Sequence, residues 1–584
     1  MRYLALACDY DGTLAAKGQV APETVAALER LRASGRQLLL VTGRELDDLL
    51  AVCPHVPLFD RVVAENGAVL YHPARQEMTL LSAPPPEAFI RMLQARGVAP
   101  LSAGRVIVAT WQPQETAVLE VIRELGLELQ VTFNRGAVMV LPAGVTKATG
   151  LAAALRDLRL SPHNVVGVGD AENDHAFLHL CECAVAVANA LPMVQAGADL
   201  VTRSPNGAGV AELIERLLAS DLGELEPCLT RHHLLLGTRE DGQDVRVSPY
   251  GGPLLLAGTS GSGKSTLATG MLERLVEAGY QCCILDPEGD YDAFEGAVVL
   301  GDHQRAPTIA EALRLLEPPE QQLVVNLLGL PLEDRPAFFT RLLARLQELR
   351  ARTGRPHWLV VDEAHHLLPA AWQPASPVLT PALPGLLITV HPDQVAPAAL
   401  TAVDLVVAVG AAPERTLASY SEALGQPSPA LAPVALEPGE ALVWPRRITP
   451  HQPFRLRSAP GRTERHRHQR KYAEGELGPD KSFYFRGPEG VLNLRAQNLA
   501  LFLQLADGVD DATWLYHLRR GDYSRWFREA IKDAALAAEA ARIEAHVDVS
   551  PGASRARIRA AIAQRYTLPT ISPFAGPLGG APAG

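Results

Sequence analysis

The chain has 584 residues, 47% of them hydrophobic and 20% charged, with a formal net charge of −11. That length fits three or four domains with real cores, and the acidic balance argues against a protein that coats nucleic acid indiscriminately. Seven cysteines lie scattered with no Cys-x-x-Cys pair, which reads as reduced core thiols of a cytoplasmic protein, not a zinc or disulfide set. The apolar run before Asp9 is too short for a signal peptide core, and no run approaches a membrane span.

Residues 1–218 read as an α/β domain. Tyr3–Cys8 is an expected buried strand that delivers Asp9-Tyr10-Asp11-Gly12-Thr13-Leu14 at its C-terminal end. Two carboxylates two residues apart, at the mouth of a parallel sheet, suit a nucleophile and an acid. A helix over Pro22–Ser34 and a strand over Gln37–Val41 follow, the latter ending in Thr42-Gly43-Arg44. Val165–Val168 is a further strand and ends in Gly169-Asp170-Ala171-Glu172-Asn173-Asp174, while Lys147 precedes another helix.

These motifs, in this order, resemble the Cof-type branch of the haloacid dehalogenase-like phosphatases. The resemblance covers nearly all of residues 1–218, including Glu65-Asn66-Gly67-Ala68 and Ala188-Asn189-Ala190. It implies a Rossmann-like core in which Asp9 attacks phosphorus and Asp11 protonates the leaving oxygen and then activates water. Thr42 and Lys147 would hold the phosphoryl group. Mg²⁺ would sit on Asp9, the Asp11 carbonyl and Asp170, supported by Asp174 or Asn173. Residues 84–141 read as an α-β-α-β-β insert turning at Asn134-Arg135-Gly136. It resembles the small α+β cap of phosphoglycolate-phosphatase-like members, which implies a small phosphorylated metabolite as substrate.

After an expected linker at 219–230, residues 231–457 read as a second α/β domain. Its signature is Gly258-Thr259-Ser260-Gly261-Ser262-Gly263-Lys264-Ser265 between an apolar strand and an amphipathic helix. Gly258, Ser260, Gly261, Gly263 and Thr266 are expected to form a phosphate-cradling loop at a helix N-terminus, from which Lys264 can reach the β and γ phosphates and the Ser265 hydroxyl can ligate Mg²⁺. Trp358–Val361 leads into Asp362-Glu363-Ala364-His365-His366, the strand-to-acid pattern in which Asp362 anchors Mg²⁺ and Glu363 polarises water. His365 and His366 are equally open to structural and functional roles, and adjacent positions on a helix should point them apart. The domain resembles the HerA–FtsK branch of RecA-like ATPases, which implies ATP as ligand. It departs from that branch at Thr389-Val390-His391, where Thr-Gln is usual, so His391 is a candidate sensor. Ring members borrow an arginine from a neighbouring copy, for which Arg415 is one candidate, so a homo-oligomer through this domain is an expectation.

Residues 458–480 form a basic stretch (Arg462, Arg465, Arg467, Arg470, Lys471). It is read first as a solvated linker and second as a nucleic-acid contact. Residues 481–566 read as a small helical domain, with helices over Leu494–Leu505, Ala512–Arg520 and Ser524–Glu544. Its aromatics read as a core, not a ligand box. Residues 567–584, rich in Pro, Gly and Ala, read as disordered. The leading expectation is a phosphatase fused to an ATPase. The rivals are a polynucleotide end-processing phosphatase–kinase and an ATP-gated, DNA-associated scaffold.

Overall fold

The computed structural model describes residues 1–259, 261–372, 385–446, 452–459, 461, 477, 481–488, 490, 492–531, 533–546 and 550–563. Ser260, most of the basic stretch and the 567–584 tail therefore lie outside the described residues. The chain forms two compact units, Met1–Pro287 with Phe294–Thr463, and Glu288–Ala293 with Glu464–Gly584.

In the first unit, an eight-stranded sheet runs Leu200–Val201, Cys183–Ala186, Val165–Gly169, Ala5–Cys8, Gln37–Val41, Arg61–Ala64, Val69–His72, Glu77–Leu80. The first six strands are parallel and the last two add antiparallel pairs. The central strands are buried along their whole length (Ala5–Cys8, Val165–Gly169), as a parallel sheet with both faces covered requires. The strand after Asp9's own lies directly beside it, and so does the strand before Asp170. Three strand ends therefore converge on one spot.

The cap has helices Glu87–Ala95 and Glu115–Leu125 against an antiparallel sheet in the order Ser102–Ala103, Val108–Trp111, Ala137–Pro142, Leu129–Asn134. Its small core packs Phe89, Leu93, Val118, Val121 and Val140. It matches the expected insert with one short strand added, Ser102–Ala103, which two exposed residues could not announce.

The second sheet of this unit has eleven strands. Its parallel part runs Leu405–Val409, Leu254–Gly258, Gly385–Thr389, Trp358–Val361, Cys282–Asp286, Gln322–Asn326, Ala297–Leu300. One edge continues through antiparallel Glu440–Pro445, Phe454–Ser458, Leu234–Arg239 and Asp244–Val247. The strand carrying Thr389 thus lies between the glycine-loop strand and the strand carrying Asp362.

The expected linker at 219–230 is instead packed structure. It forms a 3-10 helix over Gly223–Cys228, and Leu222, Leu225 and Leu229 join the core of the first domain. Polar residues between these leucines disguised the apolar spacing. A buried polar junction also ties the two sheets together. Glu182, 1% exposed, takes Arg2 (2.7 Å), His163 Nδ1 (2.6 Å) and the Tyr280 hydroxyl (2.9 Å). Burial alone would raise the Glu182 carboxyl, but the His163 hydrogen bond and the charges of His163, Arg2 and His232 hold it well below the usual range. His163 Nε2 lies 2.6 Å from the carbonyl of Ala278, the cap of the helix Lys264–Glu277. Tyr280 stacks on the His163 ring at 3.7 Å.

The second unit holds a hairpin, Phe483–Phe485 with Leu494–Ala496, and helices Leu499–Gly508, Asp511–Arg519, Asp522–Glu529, Ala534–Glu544 and Pro551–Ala563. Two expectations are corrected here. Leu494–Leu505 begins as strand because its first residues pair with Phe483–Phe485, and the helix starts after Asn498, whose side chain accepts from the Leu501 N–H. The long helix to Glu544 is broken ahead of Asp533, which caps a fresh helix by accepting from the Leu536 N–H. The aromatics form the core as expected, with Trp514 stacked on Tyr523 at 4.5 Å and Phe485 on Phe502 at 5.4 Å. His517 accepts the Arg486 N–H at Nε2 and faces Asp522 through Nδ1, so it is a neutral, structural histidine.

Breaking a buried ion pair leaves its partner uncompensated, at roughly 3–5 kcal/mol. Glu182→Ala is expected to lower the first calorimetric unfolding transition accordingly, whereas the exposed pair Arg345–Glu348 should be silent when Glu348 is replaced.

Candidate active sites

At the first site, the ends of three adjacent strands present Asp9, Thr42 and Asp170, and a helix N-terminus presents Lys147. Asp9, Thr42, Lys147, Asp170 and Asp174 are all buried, between 0% and 4% exposed. Lys147 Nζ donates to Asp9 Oδ1 and Asp174 Oδ1, each at 2.6 Å. Burial works against its charge, but Asp174 and Asp9 overcome it and hold the ammonium above its usual range. Burial, then the charge of Asp174, pushes the Asp9 carboxyl up, with Lys147 opposing. Asp170 is raised by the same two causes, against the charge of Arg135 and the Thr13 hydroxyl, which donates to it at 3.0 Å.

Lys147 reaches the site because its helix presses on the turn Glu65–Gly67. A Cβ on Gly67 would lie 1.9 Å from the Thr146 carbonyl, and its φ is +109°; only glycine fits. In the same turn, buried Glu65 accepts the backbone N–H groups of Arg105, Val106 and Ile107 at 2.7–3.0 Å. One carboxylate thereby pins the cap's chain to the core. Asp11 is more open, its side chain 43% exposed and gripped by Arg44 through a two-bond fork of 2.6 and 2.7 Å.

The carboxylates of Asp9, Asp170 and Asp174 bring ligand atoms within 4.8 Å of one another. Three carboxylates against Lys147 and Arg135 leave one negative charge over, and an all-oxygen, acidic donor set fits a hard divalent cation.

At the second site, Gly258 ends its strand where a Cβ would meet the Val409 carbonyl at 2.2 Å. The loop then turns into the helix beginning at Lys264. Lys264 is 7% exposed and its ammonium donates to the carbonyls of Gly258 (2.8 Å) and Thr259 (3.0 Å). Ser265 and Thr266 occupy the first helical turn. Asp362 and Glu363 follow their strand directly, Glu363 with φ +41°. His365 Nδ1 lies 3.1 Å from the Thr389 hydroxyl and 3.5 Å from Glu363, and Thr389 also accepts the His391 N–H at 3.0 Å. A polar string thus connects Glu363 to the end of the neighbouring strand. His365 and His366 do not point apart as expected; their rings lie 4.2 Å apart in the single-turn helix Ala364–Leu367.

Both α/β domains match known families. The haloacid dehalogenase-like hydrolase family matches residues 6–95 and 113–214. A phosphoglycolate phosphatase of Methanothermobacter thermautotrophicus is 30% identical over 224 residues, covering 37% of this chain and 98% of that protein. The chain belongs to the haloacid dehalogenase-like hydrolases. Within that family it is a phosphoric monoester hydrolase, and its second half carries a HerA-like domain: "Helicase HerA, central domain" matches residues 254–350. The "Phosphoglycolate phosphatase 2" of Saccharolobus solfataricus is 35% identical over 106 residues, 18% of this chain and 45% of that protein. A haloacid dehalogenase-like hydrolase structure from Bacteroides thetaiotaomicron covers 37% of this chain and 99% of its own, at 21% identity and TM-score 0.33.

The structure gathers Asp9, Asp11, Thr42, Lys147, Asp170 and Asp174 in one place, and Gly258, Gly261, Gly263, Lys264, Ser265 and Thr266 along one loop and helix start. No helix among the described residues is long and apolar enough to cross a membrane. Sequence reasoning missed three residues of the hydrolase site. Arg44 stood in the quoted Thr-Gly-Arg, Glu65 in Glu-Asn-Gly-Ala, and Arg135 in the hairpin turn, but nothing local said what each would touch.

Two expectations follow. Asp9→Asn brings the buried charges to balance, so without metal the hydrolase transition should rise by on the order of 1 kcal/mol; excess Mg²⁺ should reverse the order, as thermal melts would show. Burial, then His366 and His391, lowers the His365 imidazolium to about 4. His365 is therefore neutral when folded but takes a proton when unfolded below about 6.5. Its stabilising contribution is whole above that pH and is lost progressively down to about 4. His365→Gln should flatten that part of the stability–pH curve in denaturant titrations.

Proposed function

We propose that this chain is a bifunctional protein, a Mg²⁺-dependent hydrolase of a small phosphate monoester joined to a domain that binds and hydrolyses ATP. The observation that carries the reading is the Lys147 ammonium 2.6 Å from both Asp9 and Asp174 in a buried pocket at three strand ends. An ammonium held there lets a carboxylate and a phosphate dianion approach each other. Asp9 Oδ attacks phosphorus in line, the phosphorus–oxygen ester bond breaks, and the departing alkoxide takes a proton from Asp11. Asp11, now a carboxylate, takes a proton from water; the water oxygen attacks the aspartyl-phosphate, releasing inorganic phosphate and restoring Asp9. Thr42 and Lys147 hold the phosphoryl oxygens throughout. Asp9, Asp170 and the Asp11 carbonyl would hold Mg²⁺, with Asp174 in support, and the bound ion supplies charge neutralisation at the phosphoryl group.

In the second domain, backbone N–H groups of the glycine loop, Lys264 and Ser265 hold the nucleotide phosphates and their Mg²⁺. Asp362 anchors the ion's shell and Glu363 orients the attacking water. The phosphoglycolate phosphatase relatives support a phosphorylated small hydroxy acid as substrate. The polar string from Glu363 through His365 to Thr389 supports hydrolysis over passive binding, since it links the water-orienting acid to a strand beside the phosphate loop.

The two activities should separate by mutation. Asp9→Asn is expected to cut hydrolysis of phosphoglycolate and p-nitrophenyl phosphate by at least about a thousandfold while ATP turnover stays within twofold. Glu363→Gln should do the reverse, with ATP binding retained. Continued ester hydrolysis by Asp9→Asn would remove the nucleophile assignment.

A further inference from the structure

The cap sends one cation into the hydrolase site. Arg135 sits at the tip of the hairpin between Leu129–Asn134 and Ala137–Pro142, with φ +46°. Its guanidinium forms an ion pair with Asp170 Oδ2 and lies 3.4 Å from the Asn189 carbonyl. Its own N–H points at Glu172, 3.3 Å away. Asn134 and Met139 of the same hairpin approach Gly43, the residue after Thr42, so the tip lies over the phosphoryl pocket. Asp170 is fully buried, whereas the Arg135 side chain is 48% exposed. The carboxylate is fixed in the core, and the arginine can move.

The other two cations are committed. Lys147 is shared by Asp9 and Asp174, and Arg44 is divided between Asp11 and Asp48. Asp170 is also one of the three carboxylates whose geometry fits a divalent cation, and an ion there competes directly with Arg135 for Oδ2. Displaced from Asp170, the guanidinium remains on the cap side of the pocket, where the organic part of a phosphate ester must lie once its phosphoryl group is against Asp9 and Lys147.

We propose that Arg135 is the specificity-determining residue of the hydrolase site: it exchanges the Asp170 carboxylate for a carboxylate on the leaving group, selecting phosphate esters of small hydroxy acids over uncharged esters. A planar guanidinium that already grips one carboxylate is matched in shape and charge to another. The inference rests on the phosphatase reading above, and deepens it by naming what the cap recognises.

The test compares the full-length wild type with Arg135→Gln and Arg135→Lys on phosphoglycolate and on ethyl phosphate, which has the same carbon count and no carboxylate. The readout is the ratio of the two kcat/KM values, in which any loss common to both esters cancels. The wild type is expected to prefer phosphoglycolate. In Arg135→Gln that preference should fall by about 10- to 100-fold, mostly through KM, the scale of one lost charge-assisted pair. Arg135→Lys should keep part of it. An unchanged ratio would overturn the proposal, as would an equal loss on both esters. A wild type that hydrolyses neither ester would instead sink the phosphatase reading. Calorimetric titration of Mg²⁺ without substrate is the second readout: removing a competitor for Asp170 should tighten binding several-fold in Arg135→Gln, and unchanged affinity would overturn the exchange.

Discussion

Three carboxylates cannot share a buried pocket unless cations stand between them, and the hydrolase half is built around that constraint. Lys147 is the main answer. Its ammonium must arrive from outside the sheet, at the start of a helix, and be carried to within hydrogen-bond distance of two acids, Asp9 at a strand end and Asp174 in the short helix after the neighbouring strand. The close approach at Gly67 makes this possible, since any side chain there would push the helix away from the Glu65–Gly67 turn. The same turn fastens the cap through Glu65. Charge balance, helix placement and cap attachment therefore meet within a few residues.

The HerA-like half handles phosphate by the opposite design. Its glycine loop offers backbone N–H groups, and its lysine donates to two carbonyls of its own loop. A nucleophilic carboxylate must be crowded by cations to work, whereas a nucleotide cradle meets the phosphates with neutral backbone donors and a cation. Asp362 and Glu363 stand on a strand separated from the loop strand by the one carrying Thr389.

Much of this was legible from residue order because α/β sheets place their chemistry at strand ends, and strand ends can be read as the point where apolar runs meet Asp, Thr or Gly. Asp9, Thr42, Asp170, Gly258 and Asp362 all obey that rule. What could not be read was pairing across long separations. Arg135 meets Asp170 only because a cap hairpin folds over the core, and Arg44 looks like an ordinary strand-end residue until its fork closes on Asp11. Composition also misled: the acidic, proline-containing stretch 219–230 reads as a linker, yet three leucines in it complete a core. In the C-terminal part, Leu494–Ala496 became a strand because a partner strand was within reach, a tertiary effect that local periodicity does not contain.

The His163–Ala278 contact gives the helix that begins at Lys264 a second occupation. Its N-terminal end faces the phosphate loop, and its carbonyl end, which carries partial negative charge, closes over the His163 imidazole of the hydrolase. During synthesis the hydrolase core, which Leu229 completes, is made roughly fifty residues before that helix end at Ala278, so Glu182 and His163 must wait, partly assembled, for the later domain to seal them. The boundary between the halves is thus a seam closed late in the life of the nascent chain, and excising the hydrolase at residue 230 would leave an unsealed ionic face where the intact protein has an interior.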